Sequence, residues 1–207
     1  MAVTVSSNGY YEADTVADLD SITTHVGSVA KVTGTGKFYI KYTGGFRATA
    51  SWEFLGRTVL ASPATTLSVT IAPRKHLYII TRIVGKSLSF KSRMRFNSDT
   101  GVNYSFRIAD DTSALTGTNI GGIDLAKEAS SNGEYWHGMI HNAAGQAKRF
   151  YHHGPFDTDL ATAAPKLESS RANYSVTAGQ ITNIAIDSGS VTSNLLANSE
   201  ISVWGRE

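Results

Sequence analysis

From residue 54 to the C-terminal Trp204-Gly205 pair, short runs of alternating apolar and polar residues follow one another, separated by Gly, Ser, Thr, Asn and Asp. Alternation with a period of two places successive side chains on opposite faces of a strand, one buried and one wet. Residues 88–96 show it well: Leu88, Phe90, Met94 and Phe96 fall on one face, and Lys91, Arg93 and Arg95 on the other. The pattern predicts strands over 55–60, 65–71, 76–84, 88–96, 102–109, 134–141, 148–153, 180–187 and 200–204. Strands of roughly five to ten residues in this number suit a jelly-roll-like β-sandwich. Pro63, Pro73 and Pro155 flank or close strands, where a missing N–H breaks no ladder.

The first quarter of the chain reads differently. Residues 1–11 carry only Val3 and Val5 before a Ser-Ser-Asn-Gly turn signal, which predicts an extended N-terminal arm or an edge strand. Residues 12–53 read as a small αβββ module. Val16, Leu19 and Ile22 form a one-sided stripe, and Thr15 with Asp18 resembles a capping box, so a helix is expected over 14–22. Strands at 28–32 and 38–42 and a last segment reaching Trp52 follow, punctuated by glycine turns. Such a module sits near the limit of about 40 residues below which domains need staples or partners. Residues 54–207 form the sandwich, interrupted by two long connections, 110–133 and 154–172, the first expected to hold a helical turn over 124–129. Connections of this length are commonly functional or disordered.

Composition narrows the function classes. A formal charge of +2, from 19 basic and 17 acidic residues among 207, predicts neither a nucleic-acid nor a membrane partner. Without cysteine there are no disulfides, thiolate metal sites or thiol nucleophiles. The N-terminal residues lack the basic and apolar regions of a secretory leader, and no run approaches 18 apolar residues.

Candidate chemistry is sparse. His137 and His141 are four apart, and His152 and His153 adjacent, which on a helix would bring the first pair onto a shared metal. Gly138 and the aromatic neighbours favour a strand instead, where four residues span about 13 Å and adjacent residues face opposite ways. A structural or surface role is expected for these histidines, and no metal. Asp110, Asp111, Glu128, Glu134, Asp157 and Asp159 lie in or beside the long connections, the residue type that glycoside hydrolysis uses in pairs. Turn-forming or solvated roles are expected for them; Asp157-Thr-Asp159 lacks the rest of an EF-hand loop. No G-x-S-x-G elbow and no phosphate-binding glycine loop occurs, so no catalytic residue and no cofactor is predicted.

One charge feature is local. Between Arg74 and Arg107 stand eight basic residues against Asp99 alone, leaving 11 basic and 16 acidic residues elsewhere. Arg74, Lys75, Lys91, Arg93 and Arg95 are therefore the expected partner-docking face for an acidic surface. The alternative is that the strand cations only keep a wet face from pairing with other sheets.

Residues 54–62, Phe-Leu-Gly-Arg-Thr-Val-Leu-Ala-Ser, together with 65–71, 74–80 and 94–105, resemble virion proteins of tailed bacteriophages. The closing segments 180–186 and 199–205 are similar to the last strands of their jelly-roll-like modules, and 15–20 with 27–40 to small leading units on such proteins. The resemblance implies a non-enzymatic virion component, made in the cytoplasm of a bacterial host. It points first to a head decoration or cement protein, typically a homotrimer, that binds the outside of the head and clamps neighbouring capsomers. Its partners would be the major capsid protein or other virion proteins and copies of itself, with the arm adding a strand to a neighbouring sheet. Rival expectations are a tail or head fibre or receptor-binding tip presenting Tyr135, Trp136, Tyr151 and Phe156 from the long loops, and a carbohydrate-binding module or hydrolase on a β scaffold.

Overall fold

A computed structural model of the chain describes residues 3–5, 11–13, 19, 29–32, 37–42, 45–48, 52–110, 113–127, 129–156, 166–187 and 193–207. The chain divides into two compact units, Met1–Glu53 and Phe54–Glu207.

In the first unit, β1 (Val3–Val5), β2 (Tyr11–Ala13), β3 (Val29–Val32), β4 (Lys37–Tyr42) and β5 (Gly45–Ala48) form one sheet in chain order. Neighbours are antiparallel except β2 and β3, which run parallel. Ala13, Leu19, Ala30, Val32 and Tyr39 are its buried set. Of the two expectations for the N-terminus, β1 takes the edge-strand form, paired with β2. The helix expected over 14–22 lies outside the described residues apart from Leu19.

The second unit is a β-sandwich of jelly-roll-like proportions. Its strands are β6 (Glu53–Val59), β7 (Thr66–Thr70), β8 (His76–Ile83), β9 (Arg93–Phe96), β10 (Tyr104–Ala109) and β11 (Ala114–Ile120), then β12 (Ile123–Asp124), β13 (Glu134–His141), β14 (Lys148–Phe156), β15 (Lys166–Tyr174), β16 (Asn183–Asp187) and β17 (Glu200–Arg206). An eight-stranded antiparallel sheet in the order β11-β10-β15-β14-β13-β8-β17-β6 packs over a four-stranded one, β12-β9-β16-β7. The alternation anticipated in the sequence becomes burial: β8 hides Leu77, Ile79, Thr81 and Ile83 and turns His76, Tyr78, Ile80 and Arg82 the other way.

Phe96 of the small sheet joins the layers. Its ring meets Phe150 edge-on at 6.3 Å, Tyr174 at 5.6 Å and Tyr104 at 6.1 Å, all three on the large sheet. Aromatic pairs in tilted or edge geometry add roughly 0.5–1.5 kcal/mol each beyond their burial. The Tyr104 hydroxyl accepts a hydrogen bond from the Phe96 N–H at 3.0 Å and lies 3.1 Å from the Asp99 carbonyl, to which it donates. Burial pushes its pKa up to about 12. Asn142 makes a second tie: its Nδ2 donates to the carbonyls of Arg74 and Ile181, and its Oδ1 accepts from the Ile181 N–H at 2.7 Å.

Several expectations are corrected. The strand expected over 88–96 is ordered as a strand only over β9; Phe90 and Met94 are buried as expected, but Leu88 is 54% exposed. The connection 110–133 contains β11 and β12, with β11 hydrogen-bonded along β10 and β12 pairing with β9. In place of a helical turn over 124–129, Asp124 ends a strand and the Leu125 N–H donates to the Ser92 carbonyl; residue 128 is outside the described residues. The connection 154–172 is mostly sheet, since β14 runs on to Phe156 and pairs with β15 across its whole length. Only 157–165 of it lies outside the described residues.

Candidate docking face

The outward face of the large sheet can be followed row by row from the strand registers. Trp204 lies opposite Tyr78, Tyr78 opposite Met139, Met139 opposite Tyr151, Tyr151 opposite Arg171, and Arg171 opposite Arg107. One position along, Arg206, His76, His141 and Arg149 stand in line across β17, β8, β13 and β14. On the other side, Ile80, His137 and His153 do the same. Neighbouring strands are about 4.8 Å apart, so residues in one row are within side-chain reach of each other.

Ring contacts cross five strands in sequence. Phe54 meets Trp204 at 5.7 Å, Trp204 meets Tyr78 at 6.1 Å, Tyr78 meets His137 at 6.3 Å and His137 meets His153 at 6.1 Å. Phe54, Tyr135, Met139 and Tyr151 are each at least two-fifths exposed. Large apolar side chains gathered on an open sheet face mark an interaction surface more often than a solvated one. The outward positions of β8, β13, β14, β15 and β10 that are described hold Arg82, Arg107, Arg149 and Arg171 and no acidic residue. Glu200, at the β17 end, is bound to Arg57.

His76 and His141 stack at 5.2 Å with their planes 14° apart. Burial first, then repulsion from His141, Arg206 and Lys75, lowers the His76 pKa below its ordinary value.

The inward face beneath is tightly built. Gly138 and Gly154 leave room for the Phe150 and Trp136 rings: a Cβ on Gly154 would sit 2.3 Å from Trp136 Cε3 and 2.2 Å from the Tyr135 carbonyl oxygen. His152 is fully buried between Phe150, stacked at 4.8 Å, and Trp136, edge-on at 5.2 Å. Neither of its ring nitrogens has a hydrogen-bond partner among the described residues, and burial drives its pKa down to about 3. At the end of β13, the buried Glu134 carboxylate is bound to Lys86 Nζ and accepts from Trp136 Nε1 at 3.2 Å. The same Nζ donates to the Phe90 carbonyl at 3.0 Å.

The five cations anticipated as a docking face do not share one sheet. Arg74 and Lys75 lie in the turn entering β8 of the large sheet, with Arg74 3.8 Å from Glu207. Lys91, Arg93 and Arg95 lie on or just before β9 of the small sheet, beside carboxylates of their own unit: Asp124 for Lys91 at 3.8 Å and Arg93 at 3.5 Å, Asp187 for Arg95. Their charge is largely answered within the unit.

Tyr135 and Tyr151 are exposed on the sheet rather than in loops, whereas Trp136 is 2% exposed and belongs to the core. His137 and His141 share the outward face, and His152 and His153 point opposite ways. Strand pairing, not sequence adjacency, brings histidines together. Among the described residues, no group of three or more His, Asp or Glu is arranged to hold a metal ion. Of the loop carboxylates, Asp110 is bound to Lys127 Nζ at 2.8 Å and Glu134 to Lys86, while Asp111, Glu128, Asp157 and Asp159 lie outside the described residues.

The outward face is the feature that sequence reasoning missed. Its signal was present, since alternation through 134–141 and 148–153 puts Tyr135, His137, Met139 and His141 on one side and Arg149, Tyr151 and His153 on one side. What the alternation does not give is that β13 and β14 are neighbours flanked by β8 and β15. Compared with known proteins, the chain matches no family model and no curated protein.

Proposed function

We propose that this protein is a non-enzymatic structural component of a tailed-phage virion, of the head decoration or cement type, and that it docks through the aromatic half of the large sheet's outward face. The observation that carries this is the continuous ring row from Phe54 through Trp204, Tyr78 and His137 to His153, with Met139 and Tyr135 beside it. Aromatic residues and Met are the side chains enriched at interface centres, and rigid rings lose little entropy on contact. Arg82 and Arg149 lie exposed on the same face, so an apolar patch rimmed by carboxylates on a capsid protein is the complementary surface. The phage-like strand sequences at 54–62, 65–71, 74–80, 94–105, 180–186 and 199–205 support the virion setting, and a homotrimer on the outer shell is the arrangement proposed. Linking subunits stabilises a shell by mass action and multivalency, with no chemistry required.

Quantitative mass spectrometry of purified particles tests it. Many copies per particle support a shell component; absence from particles overturns the virion reading. A second reading, a fibre or receptor-binding tip, is favoured by the exposure of Tyr135 and Tyr151 and would give only a few copies per particle.

A further inference from the structure

At the other end of the same face, Arg107 on β10 and Arg171 on β15 stand directly opposite each other. Like charges at such a pair position destabilise a sheet. Neither guanidinium makes an ion pair among the described residues, in contrast to Arg57, Arg93 and Arg95, which face carboxylates. The next outward pair is Ala109 opposite Ser169, both small, so a cleft of about 270 Å³ opens beside the two arginines. Arg107, Arg171, Ala109 and Ser169 line it. That volume lies just below the range of about 300–1,000 Å³ usual for small-molecule sites, which suits one small ligand and not an extended chain.

The border of the cleft adds a second kind of chemistry. Tyr151 lies opposite Arg171 and His153 opposite Ser169, so β14 presents an exposed phenol ring and an imidazole along one side, with the Ser169 hydroxyl between them and Arg107. Two planar guanidiniums can each hold a carboxylate in a forked pair of charge-assisted hydrogen bonds. An amphipathic ring beside them offers a surface for the apolar face of a pyranose, and the hydroxyl a partner for its polar edge.

We propose that the Arg107–Arg171 cleft binds a carboxylate-bearing sugar, with the carboxylate between the guanidiniums and the sugar ring against Tyr151. The site uses β10, β14 and β15, away from the Trp204–Tyr78 end of the sheet, and does not depend on whether the chain decorates a shell or tips a fibre.

Titration of the full chain with D-glucuronate, followed by NMR and calorimetry, tests this. The expected result is saturable binding that weakens with added salt, shifts resonances of Arg107, Ser169 and Arg171, and exceeds binding of D-glucose or inorganic phosphate at least tenfold. Arg171→Gln and Arg107→Gln should each weaken it at least tenfold, with thermal midpoints equal to or above the parent because the like-charge pair is gone. No saturable binding, equal binding of glucose or phosphate, resonance shifts elsewhere on the sheet, or full affinity in both variants would each overturn the proposal.

Discussion

Trp204 and Tyr78 face each other across β17 and β8, ring centroids 6.1 Å apart, at the centre of a row of rings that spans five strands. Their positions are set by pairing between the last strand of the chain and one more than a hundred residues earlier. An aromatic row held by backbone ladders and by ring-to-ring contacts costs little to present, because the rings are already packed on one another before a partner arrives. Hot spots of this kind carry about 2 kcal/mol or more each. Tyr78→Glu is therefore expected to weaken attachment to particles depleted of this protein at least tenfold, read by co-sedimentation. Its unfolding midpoint should fall only modestly, since the substitution loses the Trp204 and His137 ring contacts but leaves the buried face of β8 intact.

Lys86 and Glu134 form an ion pair with both side chains fully buried. Removing one member of such a pair strands a charge and costs about 3–5 kcal/mol, whereas replacing both can be close to neutral. Lys86→Met should thus be strongly destabilising in urea. The double variant Lys86→Met/Glu134→Gln should recover most of the loss, because Gln still accepts from Trp136 Nε1. Equal midpoints for the single and double variants would contradict this.

His152 gives the fold a predictable acid sensitivity. Its pKa falls from 6.5 in the unfolded chain to about 3 in the buried site. Above pH 6.5 both states hold it neutral and its contribution is fully present. Between pH 6.5 and 3 the unfolded chain takes up a proton that the folded chain refuses, so stability is lost as pH falls through that window. By pH 4.5 this loss should reach about 2–3 kcal/mol. His152→Leu should have a flatter stability profile than the parent between pH 7 and 4.5, measured by urea unfolding. Parallel profiles would show that His152 does not titrate as described.

Two glycines should respond differently to alanine. A Cβ at Gly154 meets the Tyr135 carbonyl oxygen and the Trp136 ring at under 2.5 Å, neither of which can move without disturbing the β13–β14 ladder. Gly145 has φ of +76° and nothing within 4 Å of its missing Cβ. Gly145→Ala therefore costs only the left-handed penalty, roughly 1–2 kcal/mol. Gly154→Ala should be several-fold worse and reduce yield of folded protein, as compared by thermal unfolding.

How far a strand can be read from its residues depends on what it hides. Strands β8, β13 and β17 bury Ile, Leu, Val or Trp at alternate positions, and their text was legible. β15 was not, because its inward positions include Glu168 and Ser170 before Ala172 and Tyr174, which gives no apolar alternation to read. Glu168 is accommodated by accepting from the Lys127 N–H at 3.1 Å, a partner 41 residues away. β11, with Gly117 and Asn119 on a sheet edge, also reads as a loop. The cations of 91–95 were legible as the wet side of a strand, but their partners Asp124 and Asp187 arrive by way of β12 and β16, and no local pattern announces them. For the same reason the aromatic row could be listed residue by residue from sequence but not assembled.

The proposed docking of this protein on a phage head runs through the outward face of the large sheet, centred on Trp204 and Tyr78. A cryo-EM reconstruction of purified particles tests it most directly. Density for the sandwich is expected on the outer shell at capsomer junctions, with the β17–β8–β13 face turned toward the capsid protein and buried. Particles without this density, or with the sandwich attached while that aromatic face stays open to solvent, would contradict it.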